Sequence, residues 1–192
     1  MSFQALFGHL RVVFHHKRVV RRLCFRAGLY RQGLTHDLSK FSPTEFIPSV
    51  RYYQGGKASP IRGERQAIGY SRCWLHHKGR NKHHFEYWLD YAPGPGEPRL
   101  AGIKMPPKYL CEMALDRIAA SMTYNEGKYD RSMPLDYTRR HTCMQIIHPE
   151  TAAELERIYV ILAEQGEDAM FRHLRKILKE GYGTEPAGTK NA

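Results

Sequence analysis

Eleven histidines stand in a chain of 192 residues, and most of them are grouped. His15-His16, His76-His77 and His83-His84 are adjacent pairs, and His36 is followed directly by Asp37, while His9, His141, His148 and His173 stand apart. Imidazole mixed with carboxylate is the donor set that borderline divalent ions such as Mn, Fe, Co, Ni and Zn favour. A catalytic site of that kind needs ligands converging from several elements and an open position for water. The candidates are therefore the three pairs, His36, Asp37 and an acid from a later helix.

Ligands drawn from segments so far apart must be held by packed elements, and the chain reads as helical. Leu6, Leu10, Val13, Val20, Cys24 and Ala27 form a stripe that predicts a first helix over about 3–27, closed by Gly28. His16 lies three residues after Val13 and four before Val20, on the apolar side, whereas His15 shares a face with Arg11, Arg18 and Arg22. His16 is thus the inward residue, as a ligand or as a core histidine bonded to a carbonyl. A short link, 30–35, leads to His36-Asp37-Leu38-Ser39-Lys40. Ser42, Pro43 and Glu45 read as a helix start with a capping box, and Pro48 keeps that helix short or kinked. Residues 54–65 read as a polar loop, followed by a helix that carries Trp74, Leu75 and the histidine pairs, broken near Gly79 with Asn81 recapping. Residues 91–107 and 125–140 read as long loops, of the sort that form lids or binding loops. Pro107 opens a helix to about Thr123, and helices over about 149–165 and 167–179 follow. The sum is an all-α, single-domain bundle with long Pro/Gly-rich loops and, from Gly181, a disordered tail.

Lys40 stands three residues past Asp37, where its ammonium could reach a phosphate oxygen. With a histidine on the preceding helix, a short link and then HDLSK, this segment resembles the HD superfamily of metal-dependent phosphohydrolases. Within it the likeness is to the cyclic-dinucleotide phosphodiesterase branch, whose signature has glycine where Ser39 stands. Trp74-Leu75-His76-His77-Lys78-Gly79-Arg80-Asn81 is similar to the paired-histidine motif of that branch. Ala114-Leu115-Asp116-Arg117-Ile118-Ala119-Ala120-Ser121 is similar to the helix bearing the last aspartate of the family. The order of these motifs is retained over roughly residues 10–125. The resemblance implies an HD-like helical domain over 1–180, with 181–192 as the tail. It implies one divalent ion held by His16, His36, Asp37 and Asp116, and a second held, or the first completed, by His76 and His77. Asp37 and Lys40 are then the catalytic residues. Metal-bound hydroxide attacks phosphorus in line with the leaving oxygen, and Lys40 and the ions offset the phosphoryl charge. The plain alternative for Asp116 is a surface acid paired with a base.

The chain departs from the pattern in places. Lys78 stands where an acid usually follows the histidine pair, and both the glycine-tyrosine-proline signature and a separate histidine between HD and the pair are missing. His83 and His84 each lie seven residues, about two helical turns, beyond a member of the first pair. His84 is accordingly taken as a further metal ligand and His83 as a substrate contact. Lys78, Arg80, Asn81 and Arg117 complete the substrate-binding set. Lys82, Arg139 and Arg140 are either further phosphate-binding cations or a solvated basic surface. HDLSKFSPTEF and HHKGRNKHHFEYW also resemble a group of bacterial and phage proteins, a likeness that implies no established activity.

Composition narrows the partners. A formal charge of +11 concentrates anions near the chain. A nucleotide or other phosphorylated small molecule fits, and nucleic acid stays open. Cys24, Cys73, Cys111 and Cys143 include no C-x-x-C pair, which excludes a zinc ribbon and a small disulfide framework and implies reduced thiols in a cytoplasm. No apolar run approaches the ~20 residues needed to span a bilayer, and no membrane partner is expected. The N-terminus is no secretory signal, although its basic, amphipathic character leaves a transit peptide or membrane-surface helix open. Phe85, Tyr87, Trp88 and Tyr91 seal a core or stack on a base. Two rival functions remain: a non-hydrolytic His/Asp metalloprotein, either a di-iron redox enzyme or a sensor, and a basic nucleic-acid-binding module without catalysis.

Overall fold

The structure, a computed structural model, describes residues 2–92, 99–140 and 145–183. Helix α1 (Phe3–Ala27) begins where the Ser2 hydroxyl accepts a hydrogen bond from the Gln4 amide at 3.2 Å, and it ends at Gly28 with φ +87°. That left-handed conformation suits a residue without Cβ. The stretch 30–35, read as a link, is instead a short helix, α2 (Tyr30–Thr35). It lies so close on α1 that a Cβ at Gly33 would stand 3.0 Å from Cys24 and Phe25 atoms. A 3-10 turn (Leu38–Phe41) then leads into α3 (Pro43–Arg51), which contains Pro48 and stops three residues after it.

Three stretches read as loops hold regular structure. Helix α4 (Pro60–Ile68) occupies much of 54–65, started by Ser59-Pro60 and stopped by Gly69 at φ +83°. The hairpin of β1 (Leu89–Tyr91) and β2 (Leu100–Gly102) pairs antiparallel, Leu89 opposite Gly102, and β2 lies within the stretch 91–107 read as a long loop. Helix α7 (Met133–Arg140) lies within 125–140. Between α4 and β1, helix α5 (Arg72–Arg80) is capped by the Ser71 hydroxyl, which accepts from the Trp74 amide at 3.0 Å. Buried Glu64 of α4 accepts from that hydroxyl at 2.7 Å and from the Cys73 amide at 3.2 Å, so one helix fixes the start of the next.

Helix α6 (Pro107–Tyr124) is apolar nearly all round, with Leu110, Cys111, Met113, Ala114, Leu115, Ile118 and Ala119 buried. A helix of that pattern belongs at the centre. It packs against α1, α8 (Pro149–Gln165) and α9 (Glu167–Glu180), and the shared core includes Val20, Leu23, Leu155, Ile158, Tyr159, Phe171 and Leu174. Each such side chain contributes about 1.5–3 kcal/mol by burial. The tail expected from Gly181 begins in the core: Tyr182 is buried, its hydroxyl donating to the Met105 carbonyl and pairing with Thr151 at 2.9 Å. Residues 184–192 lie outside the described residues.

The nine helices and one small hairpin of the described residues make an all-α fold. Cys24, Cys73 and Cys111 are buried and unpaired, and Cys143 lies outside the described residues. Burial pushes the Cys73 thiol up to about 11 and the Cys111 thiol up to about 12, which suits core packing and not nucleophilic attack. No helix among the described residues is long and apolar enough to cross a membrane.

Candidate metal centre

Four helices and two turns converge on one buried cluster. Helix α1 supplies His16, which is buried while His15 is exposed. His36 ends α2, and Asp37 takes φ +54° and ψ +32°, the only positive φ among described non-glycine residues. Aspartate tolerates that left-handed conformation better than most side chains do. The bend carries the chain from α2 into the 3-10 turn and sets both side chains inward, with His36 2% and Asp37 1% exposed. Helix α5 supplies His77, α6 supplies Glu112 and Asp116 one turn apart, and α3 supplies Glu45.

The donor atoms fall into two groups that share Asp37. In the first, His16 Nε2 lies 2.9 Å and His36 Nε2 3.2 Å from Asp116 Oδ1, and His36 Nε2 is 3.3 Å from Asp37 Oδ2. In the second, His77 Nε2 and His83 Nε2 each lie 3.3 Å from the other oxygen, Asp37 Oδ1, and His84 completes the set. Within each group the donor atoms lie within 4.8 Å of one another, close enough to ligate one divalent ion. His36 Nε2, Asp37 Oδ1, His83 Nε2 and His84 Nε2 are buried with no hydrogen-bond partner. Leaving such atoms unsatisfied costs about 1–3 kcal/mol each, and a cation in each group would satisfy them. The residues fit a metal.

Two carboxylates stand behind the imidazoles. Glu112 Oε1 accepts from His36 Nδ1 at 3.0 Å and lies 3.3 Å from His83 Nδ1. Glu45 accepts from His77 Nδ1 at 2.7 Å and from His76 Nδ1 at 2.6 Å. Carboxylates placed this way hold the proton on Nδ1 and leave Nε2 as the atom that would face an ion. His36, His83 and Glu112 also make a compact trio. Its bonds run through Nδ1, however, so we read it as the support of the first two groups. Asn81 adds to this layer by donating to Ser39 Oγ and to the His77 carbonyl, both at 2.8 Å.

The electrostatics are those of tightly paired ions. Burial alone would raise the Asp37 carboxyl, but His36, Lys40 and His77 outweigh it and hold Asp37 well below the usual carboxylate range. Asp116 is held low against burial by His16 and His36, and Glu112 by His36 and His83. Burial works against a charged His36, yet Asp37, Asp116 and Glu112 keep it well above the ordinary imidazole value. His84, pressed down by burial and by His83 and His77, stays well below that value. A divalent ion bound in either group would take the place of a proton on these Nε2 atoms, so binding would release protons.

A cleft of about 530 Å³ opens onto the cluster. His16, Asp37, His77, His84 and Asp116 lie along it, Lys40 and Arg117 supply positive charge, and Val12, Val13, Ile61, Tyr53 and Tyr124 form much of the wall. Lys40 sits 2.5 Å from Asp37 Oδ2 with its side chain 27% exposed.

Of the residues singled out in the sequence, His16, His36, Asp37, His77, His84 and Asp116 come together. His76 does not join them: its Nδ1 pairs with Glu45, and it belongs to neither donor group. His83, taken as a substrate contact, is a buried member of the second group instead. It and His84 lie in a turn beyond α5, because Asn81 ends that helix, and not two helical turns further on. Among the proposed substrate contacts Arg117 lines the cleft, Asn81 supports His77, and Lys78 and Arg80 lie off the cleft. Arg139 pairs with Glu156 at 2.8 Å, and the Arg140 side chain donates to the Asp136 carbonyl. Asp116 is only 14% exposed in its side chain and pairs with His16, which excludes the surface-acid alternative. Glu45 and Glu112 were not anticipated. Ser42 makes no side-chain capping bond, so the supposed capping box leaves Glu45 to the histidines.

A family model described as "Family of unknown function (DUF5662)" matches residues 6–161, a span that includes every residue of both donor groups. No curated protein and no solved structure matches the chain.

Proposed function

The chain belongs to the DUF5662 family, whose function is unknown, and from its site we propose a metal-dependent phosphohydrolase or phosphodiesterase acting on a nucleotide or related phosphoester. One observation carries this reading: Asp37 presents its two carboxylate oxygens to two separate sets of imidazoles at the floor of an open cleft. A carboxylate shared in this way suits a pair of ions a few ångströms apart, the arrangement used for in-line displacement at phosphorus. The order of His16, His36-Asp37, His77 and Asp116 is also that of the HD phosphohydrolases.

The divalent ions would be held by His16, His36, Asp37 and Asp116 on one side and by Asp37, His77, His83 and His84 on the other. They would supply Lewis acidity toward water and toward a phosphoryl oxygen. The chain's own residues do the rest. Glu112 and Glu45 orient the imidazoles. Lys40 is disfavoured as a cation by burial, but Asp37 and Asp116 outweigh that and keep it charged. Partly open to the cleft, it is placed to offset charge on a transferring phosphoryl group. Arg117 offers a second cation along the cleft, and the walls of Val12, Val13 and Ile61 limit water around the reacting atoms. A cleft of this volume holds a ligand of nucleotide size.

The test is a panel of phosphomonoesters and phosphodiesters offered to the protein with Mn or Fe. Metal-dependent hydrolysis that disappears in Asp37→Asn, with the fold retained, is the expected result. Metal-loaded protein that hydrolyses none of the panel, yet develops a visible absorption band with iron in air, would transfer the site to redox chemistry.

A further inference from the structure

The outer face of α1 takes no part in the cleft and has a composition of its own. Phe3, Phe7 and Phe14 are 79%, 65% and 57% exposed, and Phe25 is exposed as well. At about 100° per residue these four fall within about 40° of one another around the helix, a line about 33 Å long. Phe41 extends the line sideways, its ring 5.7 Å from that of Phe14, and Ile47 extends it beside Phe3. Arg11, Arg18, Arg21 and Arg22 are exposed on the same side of the helix. Among its 25 residues α1 has no aspartate or glutamate. Of its arginines, Arg26 alone pairs with acids among the described residues, namely Glu167 and Asp168.

A monomeric protein seldom leaves a line of phenylalanines in water. The charge around this line decides what covers it. A second copy of the chain would bring arginine against arginine. Nucleic acid would satisfy the arginines, but side chains standing on a helix surface are poorly arranged as platforms for successive bases. An anionic lipid surface satisfies both: phosphates meet the arginines while the rings enter the headgroup–acyl boundary, as in helices that lie in the interface plane. The cleft opens from His9, Val12, Val13 and His16, on the opposite side of the same helix, so docking by the outer face leaves it open to solvent. We propose that the Phe3–Phe25 face of α1 is a peripheral docking surface for membranes rich in anionic lipid.

The experiment is co-sedimentation of the full chain with vesicles of phosphatidylglycerol and phosphatidylcholine, compared with vesicles of phosphatidylcholine alone. Binding is expected only to the anionic vesicles and should weaken as salt is raised. The Phe7→Ser/Phe14→Ser variant should lose binding about tenfold or more, and Arg18→Glu/Arg21→Glu likewise. Circular dichroism and metal content, read in parallel, should match the parent, since none of these residues touches the cluster. Three results would overturn the proposal: no vesicle binding at all, binding undiminished in both variants, or oligonucleotides displacing the protein from vesicles through the same arginines. A dimer in solution that the phenylalanine substitutions convert to monomer would overturn it too, by assigning the face to a second copy.

Discussion

His36 and His83 stand with ring centroids 4.4 Å apart and turn their Nδ1 atoms to the same oxygen of Glu112. One carboxylate on α6 thereby aims an imidazole into each of the two donor groups. Glu112→Gln keeps the shape but weakens the acceptor. Metal affinity should fall by about 10–100-fold for both ions together, read by competition with a chromogenic chelator. Unchanged affinity, or loss at one ion only, would contradict the shared support.

Asp37 belongs to both groups and Asp116 to one. Elemental analysis should therefore find two divalent ions in the parent, one in Asp116→Asn and none in Asp37→Asn. Asparagine is the informative replacement at 37 because it also accepts the left-handed backbone found there. Equal metal content in the two variants would remove the bridging role.

Lys40 contacts Asp37 but offers no lone pair to a metal while charged. Lys40→Ala should retain its metal and lose hydrolysis by about 100-fold or more, the scale seen when one charge-stabilising donor is removed. Full metal content with full turnover would show that Lys40 only neutralises Asp37.

His9 lines the cleft two helical turns from His16, and its Nε2 is buried without a partner. Burial, and secondarily the charge of Lys40, lowers it from 6.5 to about 4. The unfolded chain therefore takes up this proton more readily than the folded one, so His9 supports the fold above about pH 6.5 and this support is lost as pH falls toward 4. Urea unfolding at pH 7 and 4.5 should show a smaller pH penalty for His9→Phe than for the parent, and parallel losses would refute the assignment.

What the sequence revealed depended on the range of the signal. His16 was legible because a helix of 25 residues fixes its own phase, and Val13 and Val20 mark the inner face. His36, Asp37, His77 and Asp116 were legible from motif order. The place of His83 is not legible from its seven-residue spacing, which means two turns only while a helix continues, and α5 stops at Asn81. Glu45 was hidden by a competing local rule, since a glutamate three residues after Ser42 reads as a capping box although its partners are 31 and 32 residues away. Glu112 carries no local mark at all, and its role exists only once α2 and the His83 turn lie against α6. Helices α4 and α7 are short and weakly apolar, so their proline starts were outweighed by the polar residues around them.

Tyr182 fastens the end of α9 to Met105 and Thr151. Helix α9 in turn grips α1: Phe171 lies under the Arg26 guanidinium at 4.1 Å, and the Arg175 side chain donates to the Arg26 carbonyl at 3.0 Å. Through α9, Tyr182 is thus a clasp on the helix that carries His16. Shortening the chain ahead of it would slacken the scaffold of the buried cluster from the far end, without altering any residue of the two donor groups.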